Sequence, residues 1–212
     1  VIAIIDYGMG NLHSVSKAVE RLGCETVVTS DPEAIRRADG VILPGVGAFG
    51  DAMELIDQSG LDKTIREVAN SGTPLLGICL GMQLLFTESE EYGTHKGLDV
   101  LPGRVVRFRG DFKVPHMGWN RLQLLQGSPL FTDDWQGGYA YFVHSYRVMP
   151  DERTDLLAVT DYYGEVSAIV GRGNTFGMQF HPEKSGDVGM QLLDNFLALT
   201  GSPRLILARK EA

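Results

Sequence analysis

The stretch Leu75-Leu76-Gly77-Ile78-Cys79-Leu80-Gly81-Met82-Gln83 constrains this chain more than any other. Its apolar opening after Pro74 fits a short buried strand, and Leu80–Phe86 fits the start of a helix. Cys79 sits at the join with a glycine two residues to either side. A sharp strand-to-helix turn brings backbone segments so close that a Cβ at either flank collides. Gly77-x-Cys79-x-Gly81 therefore has the form of a nucleophile elbow with sulfur in place of a hydroxyl. The sulfur would emerge at the carboxyl end of the strand and at a helix N-terminus, where partial positive charge favours the thiolate. Taken alone, the same letters also fit a buried cysteine in a glycine turn.

The sequence before the elbow alternates strand and helix. Val1–Asp6 is an apolar run ending in an acid, and the glycine turn Tyr7–Asn11 leads to a helix carrying Leu12, Val15, Ala18, Val19 and Leu22. Val27-Val28 marks a second strand. Asp31 and Pro32 cap and open a short helix. Val41-Ile42-Leu43 runs into Pro44-Gly45-Val46-Gly47, and helices follow over 51–57 and Leu61–Ser71. This pattern argues an α/β fold with a mostly parallel central sheet and helices on both faces. Asp6, Pro44–Gly47 and Cys79 then share the carboxyl edge, where such sheets place their chemistry. From about Leu98 to Phe180 the segments are short and turn-separated: 104–108, 120–125, 139–146, 156–160, 166–170 and 175–180. They read as an antiparallel β extension. A closing helix over 188–199 carries Val188, Leu192, Leu193, Phe196 and Leu197 on one face. No linker separates the halves, so residues 1–200 are expected to form one domain and 201–212 a tail.

Composition narrows the function. The net charge of −8 argues against nucleic acid as the main partner. Arg104, Arg107 and Arg109, spaced along one strand, read as a solvated face. No apolar stretch reaches membrane-span length, and no signal peptide is evident. Two cysteines make no disulfide framework, so Cys24 is expected to pack and a cytoplasmic setting is the default. Histidine and cysteine lack zinc-ligand spacing, so neither a metal nor a cofactor is expected. Gly8-x-Gly10-x-x-His13 lacks the third glycine of a dinucleotide fingerprint and has no well-placed ribose-binding acid.

An activated sulfur needs a base. Of the five histidines, His181 has the most informative neighbours. A strand with alternating Phe176, Met178 and Phe180 arrives at it. Pro182 is expected to keep the chain extended, so that Glu183 points the same way and orients the imidazole. His144 shares a face with Phe142 and Tyr146 and reads as a structural or pocket-wall residue. His116, in Pro115–Asn120, reads as part of a loop forming an interaction surface. His13 falls on the first helix and His95 in a polar loop. The backbone N–H of Leu80 is the expected oxyanion donor, with a second donor from the Val46–Gly47 region.

Together these residues resemble class I glutamine amidotransferases, through the Gly77–Gln83 elbow and His181-Pro182-Glu183. Met82, in place of a histidine common in that class, and the motifs Asp6–Leu12, Pro44–Phe49, Pro115–Asn120 and His181–Ser185 narrow the resemblance to members that deliver ammonia to a separate cyclase subunit, a (β/α)8 barrel. The resemblance covers the chain from Ile4 to about Leu199. It implies that Cys79 attacks the side-chain amide of glutamine, that His181 and Glu183 manage the proton, and that a glutamyl thioester is hydrolysed. It implies that Gln83, Glu91 and the backbone of Ser145 and Tyr146 hold the amino-acid end. It implies a heterodimer making imidazole glycerol phosphate and a carboxamide ribonucleotide in histidine biosynthesis. Asn11, Met117, Trp119, Tyr141 and Lys184 are the contact candidates. The rivals are a glutaminase serving another synthase, a cysteine peptidase or deglycase on a similar sheet, and a non-catalytic scaffold.

Overall fold

The computed structural model describes residues 1–133 and 135–205. Strands β1 (Ile2–Ile5), β2 (Thr26–Thr29), β3 (Gly40–Leu43) and β4 (Leu75–Ile78) alternate with helices α1 (Leu12–Arg21), α2 (Pro32–Arg37), α3 (Phe49–Gln58) and α4 (Leu61–Ser71). Helix α5 (Leu80–Leu84) follows the elbow. Then come β5 (Glu88–Ser89), β6 (His95–Lys96), β7 (Gly103–Arg107), β8 (His116–Leu124), β9 (Gly138–His144), β10 (Tyr146–Pro150), β11 (Leu156–Asp161), β12 (Glu165–Arg172), β13 (Thr175–Met178) and α6 (Gly186–Thr200).

A nine-stranded sheet runs in the order β2-β1-β3-β4-β13-β12-β11-β8-β9. It is parallel from β2 to β13 and antiparallel from there to β9. The inner parallel strands β1, β3 and β4 are buried on both faces, which explains their apolar runs, whereas β2 at the edge is only partly buried. Ile2 and Ile4 pack with α1 and α6, whereas Ala3 and Ile5 pack with α2, α3 and α4. A smaller sheet, β10-β7-β5-β6, lies beside the first. Among the described residues, no helix is long and apolar enough to cross a membrane.

Several local expectations hold. Asp31 caps α2 by accepting from the Glu33 N–H at 3.1 Å, with Pro32 at the first helical position. Cys24 is buried, although it lies outside β2 and makes an isolated bridge with Arg204. Others are corrected. The helix after Cys79 stops at Leu84, because the carbonyls of Leu84 and Leu85 turn to Leu98, Val100 and Leu101. Residues 116–120 are strand, not loop: β8 pairs with β9 from His116↔His144 to Leu122↔Gly138. That pairing buries His116 completely and leaves its odd-numbered neighbours outside. The segment 139–146 is two strands broken at Ser145, and His95 lies in the two-residue β6. β13 is parallel to β4 and antiparallel only to β12, so the carboxyl end of β13 meets the elbow. Of the expected tail, 206–212 lie outside the described residues. Leu205 is fastened to the Gly23 carbonyl at 2.6 Å and Arg204 to that of Leu22 at 2.7 Å.

The elbow glycines are required by packing. A Cβ on Gly81 would stand 1.8 Å from the Leu43 carbonyl oxygen, and one on Gly77 would stand 2.6 Å from that of Gly81. Neither obstacle is a flexible side chain. Gly81→Ala is expected to lose several kcal/mol of stability, on the order of 3 or more, or to fail to fold. Gly127→Ala, whose Cβ would meet nothing within 4 Å, is expected to stay within about 0.5 kcal/mol of the parent. Urea unfolding of both variants measures the contrast.

Candidate active site

Cys79 is held at φ 56° and ψ −114°. A positive φ is costly for a residue with a Cβ, and here the turn imposes it. The Cys79 N–H donates to the Met178 carbonyl at 2.8 Å, which ties the elbow to the end of β13. Three residues further along, the chain delivers His181. Its Nδ1 lies 2.9 Å from Glu183 Oε1, and its imidazole and the Cys79 sulfur line the same cavity. The expected pairing of His181 with Glu183 is present, but by another route. Pro182–Lys184 is a single 3-10 turn, not extended chain, with Pro182 at its first position. The turn folds Glu183 back beneath the ring. Glu183 Oε2 is buried and has no hydrogen-bond partner among the described residues, so the imidazole is the group that answers its charge.

Electrostatics follow from this arrangement. Burial alone would lower the His181 pKa. Interaction with the Cys79 sulfur and a hydrogen bond accepted by the Glu183 carboxylate outweigh it and push the pKa up to about 9. His181 is therefore an imidazolium at neutral pH. Tyr7, whose hydroxyl donates to the Pro44 carbonyl at 2.9 Å, has its pKa raised by burial and by the sulfur's charge.

The sulfur opens onto a cavity of about 340 Å³. Its lining includes Val46, Gly47, Cys79, Leu80, Gln83, Glu91, Ser145, Tyr146 and His181, so the expected catalytic, oxyanion and substrate positions converge apart from Glu183, which lies behind the imidazole. Gln83 is buried and its Nε2 reaches the Tyr146 carbonyl at 3.4 Å and Gln179 Oε1 at 3.2 Å. Glu91 accepts from the Phe49 N–H at 3.3 Å. Its burial raises its pKa against that hydrogen bond. The Leu80 N–H is not free: it donates to the Gly45 carbonyl at 3.3 Å. Gly47 has φ +103°, so its peptide takes an orientation that L side chains resist.

Sequence reasoning missed Gln179, which is fully buried and points its amide at Cys79 Sγ at 3.8 Å. A lone amide on a strand two residues before His181 was the available signal. It also misplaced His116. That ring stacks on Tyr162 at 4.0 Å and on Phe142 at 5.0 Å, with Nδ1 2.9 Å from His144 Nε2. His144 in turn reaches the Tyr146 carbonyl at 2.8 Å and forms the expected pocket wall. The contact candidates lie elsewhere. Met117 and Trp119 are 52% and 55% exposed. They pair across the ladder with Val143 and Tyr141. Asn11 and Lys184 are also exposed. Val143 also lines the cavity, so this outer face continues into the mouth of the site. Among the described residues no cluster of histidine, cysteine and carboxylates could hold a metal ion.

A model of the family "Glutamine amidotransferase class-I" matches residues 3–199. The chain is 57% identical over 205 residues to the imidazole glycerol phosphate synthase subunit HisH of Geobacillus kaustophilus (strain HTA426), covering 94% of this chain and 97% of that protein. It is 52% identical over 211 residues to the subunit of the same name from Bacillus subtilis (strain 168), covering 97% and 99%. Among solved structures, a glutamine amidotransferase superposes with a TM-score of 0.76 at 22% identity, over 95% of this chain and 99% of that one. PurLQS from Thermotoga maritima gives 0.73 at 20% identity, over 93% and 97%. These two likenesses speak to the fold.

The charge on His181 has a measurable sign. Its imidazole is expected to titrate near pH 9 by 15N-detected NMR, and lower in Cys79→Ala and in Glu183→Gln, because each removes a group that favours the proton. The folded pKa lies above the unfolded value of 6.5. The stability it contributes is therefore complete below about pH 6.5 and is lost as pH rises through about 9. A titration at or below 6.5 in the parent would contradict this.

Proposed function

The chain belongs to the class I glutamine amidotransferases, and from that premise we propose that it is a glutaminase subunit of imidazole glycerol phosphate synthase, serving histidine biosynthesis. The observation that carries the chemistry is the Cys79–His181–Glu183 relay at the wall of a cavity shared with Gln83 and Glu91. Relatives of more than 50% identity over nearly the whole chain carry the assignment to this branch.

The reactive form pairs the sulfur as thiolate with the protonated imidazole. Sγ attacks the side-chain amide carbon of glutamine, and the carbonyl oxygen becomes an oxyanion. Collapse breaks the C–N bond. His181 gives its proton to the leaving nitrogen, so ammonia departs and a glutamyl thioester remains. Water then attacks the thioester, His181 takes the water's proton, and the C–S bond breaks to release glutamate and restore the pair. Glu183 keeps the ring oriented through both proton movements. Gln83, Glu91 and the backbone of Ser145 and Tyr146 hold the substrate's amino-acid end. Ammonia passes to a cyclase subunit, a (β/α)8 barrel docked over Asn11, Met117, Trp119, Tyr141 and Lys184.

The oxyanion site is incomplete at rest. The Gly45 carbonyl occupies the Leu80 N–H. Turning the Pro44–Gly47 segment would free that donor and bring the Val46–Gly47 peptide N–H into the site. Each donor so placed is worth roughly 10²–10³ in rate, so loop state sets activity. Partner and nucleotide binding shift the loop only through contacts that differ between its two states.

Glutamate release is expected to rise steeply when the purified cyclase and its nucleotide ligand are added, and to vanish in Cys79→Ala. Gly47→Ala is expected to cut the stimulated rate about tenfold or more, since a Cβ there would strain the +103° conformation and press on Met9 Cε at 2.5 Å. Labelling of Cys79 by a glutamine-like electrophile should be blocked by glutamine and not by peptides. Protection by peptides instead would favour a peptidase.

A further inference from the structure

β7 and the two residues after it carry three arginines, and two of them are answered by acids. Arg104 Nε lies 3.0 Å from Glu88 Oε1, and the Arg109 guanidinium lies 3.0 and 3.1 Å from the two oxygens of Glu90. Arg107 differs. Its backbone N–H is held by Glu90 Oε1 at 2.8 Å, which fixes that point of the strand. Its guanidinium has no ion-pair partner among the described residues, yet it lines the cavity that holds Cys79. All three are exposed, as the solvated-face reading expects, but Arg107 also borders the cavity. The guanidinium carbon stands 5.9 Å from the centre of the Tyr146 ring, a contact that steers a long side chain toward one wall.

The same cavity contains Glu91, whose carboxylate is buried and feels the charge of Arg107. Beyond the catalytic imidazole, the lining thus offers one carboxylate and one unpaired guanidinium. An α-amino acid carries the complementary pair, an ammonium and a carboxylate, at the end remote from its side-chain amide. We propose that Arg107 is a specificity-determining residue: its guanidinium pairs with the α-carboxylate of the substrate while Glu91 receives the α-ammonium. The inference rests on the glutaminase reading and adds to it the group that recognises the substrate's anion. Guanidinium and carboxylate match in a two-bond fork, which an exposed lysine would reproduce only in part.

The test uses the complex with cyclase and nucleotide ligand. Glutamine is the substrate, and 4-aminobutanamide, which is glutamine without its α-carboxylate, is the competitor. Arg107→Gln is expected to raise the KM for glutamine about tenfold or more with kcat within about twofold. The inhibition constant of 4-aminobutanamide should not change, and Arg107→Lys should recover part of the lost KM. The proposal is overturned if KM stays within about twofold, or if competitor and substrate weaken equally, which would mean that Arg107 only props Tyr146. It is also overturned if Arg107→Lys is no better than Arg107→Gln. A parent complex that released no glutamate would instead sink the glutaminase reading, and the proposal with it.

Discussion

Everything at the site depends on the contact between Gly81 and the backbone at the end of β3. The helix that starts at Leu80 is pressed so close that the Leu43 carbonyl occupies the place of a Cβ on residue 81. That closeness forces Cys79 into φ 56°, ψ −114°. Local strain of this kind costs on the order of 1–3 kcal/mol and persists only where surrounding structure over-determines it. The surroundings here are β3 and β13 flanking β4, and Met82 packed over Gly177, where a Cβ would lie 2.4 Å from its Cγ. The parallel core thus compresses one turn until its sulfur has a single direction open.

The strain would be idle without the second half of the chain. β13 enters the sheet beside β4, and the Met178 carbonyl binds the Cys79 N–H. One register fixes the elbow and, three residues on, the imidazole that serves it. The pairing of β13 with β4 spans about a hundred residues, so nucleophile and base meet only after the antiparallel extension has returned the chain to the centre. The histidine is then buried against two negative groups, and the proton stays on it near neutral pH. A proton held there is in place for the leaving nitrogen of the proposed reaction.

Legibility in the sequence followed the range of the forces involved. The parallel half could be read because each of its elements is set locally: the apolar runs of β1, β3 and β4, the Asp31-Pro32 opening of α2, and the glycines around Cys79. The candidate catalytic set could be picked out because Cys79, His181 and Glu183 each sit in a short pattern with its own chemistry. The failures are non-local. His116 looked like loop because Pro115, Gly118 and two apolar neighbours mark no strand on their own. Its burial comes from β9 and from Tyr162 stacked on its ring. The break at Ser145 arises because β9 and β10 join different sheets. Gln179 and Arg107 acquired meaning only from what stands opposite them.

The contact between the Leu80 N–H and the Gly45 carbonyl leaves a site whose cysteine and histidine are placed while the neighbouring backbone donor is occupied. A backbone hydrogen bond contributes about 1 kcal/mol net, whereas an oxyanion donor contributes about 3 kcal/mol or more to the transition state. The resting bond is therefore weak enough to be exchanged, and its exchange is worth far more than it costs. Opposite the elbow the segment is gripped at two points: Tyr7 holds the Pro44 carbonyl, and Gly10 lies against Gly45 closely enough that a Cβ there would be 3.5 Å from its Cα. Both grips belong to the Tyr7–Asn11 turn, and Asn11, at its exposed end, caps α1. A partner pressing on that turn would act on the loop through these two contacts, with no need to disturb the Cys79–His181 pair. Position of the nucleophile and availability of the oxyanion donor are thus set by different parts of the chain: the first is locked by the sheet, and the second is left to a loop that an interface can reach.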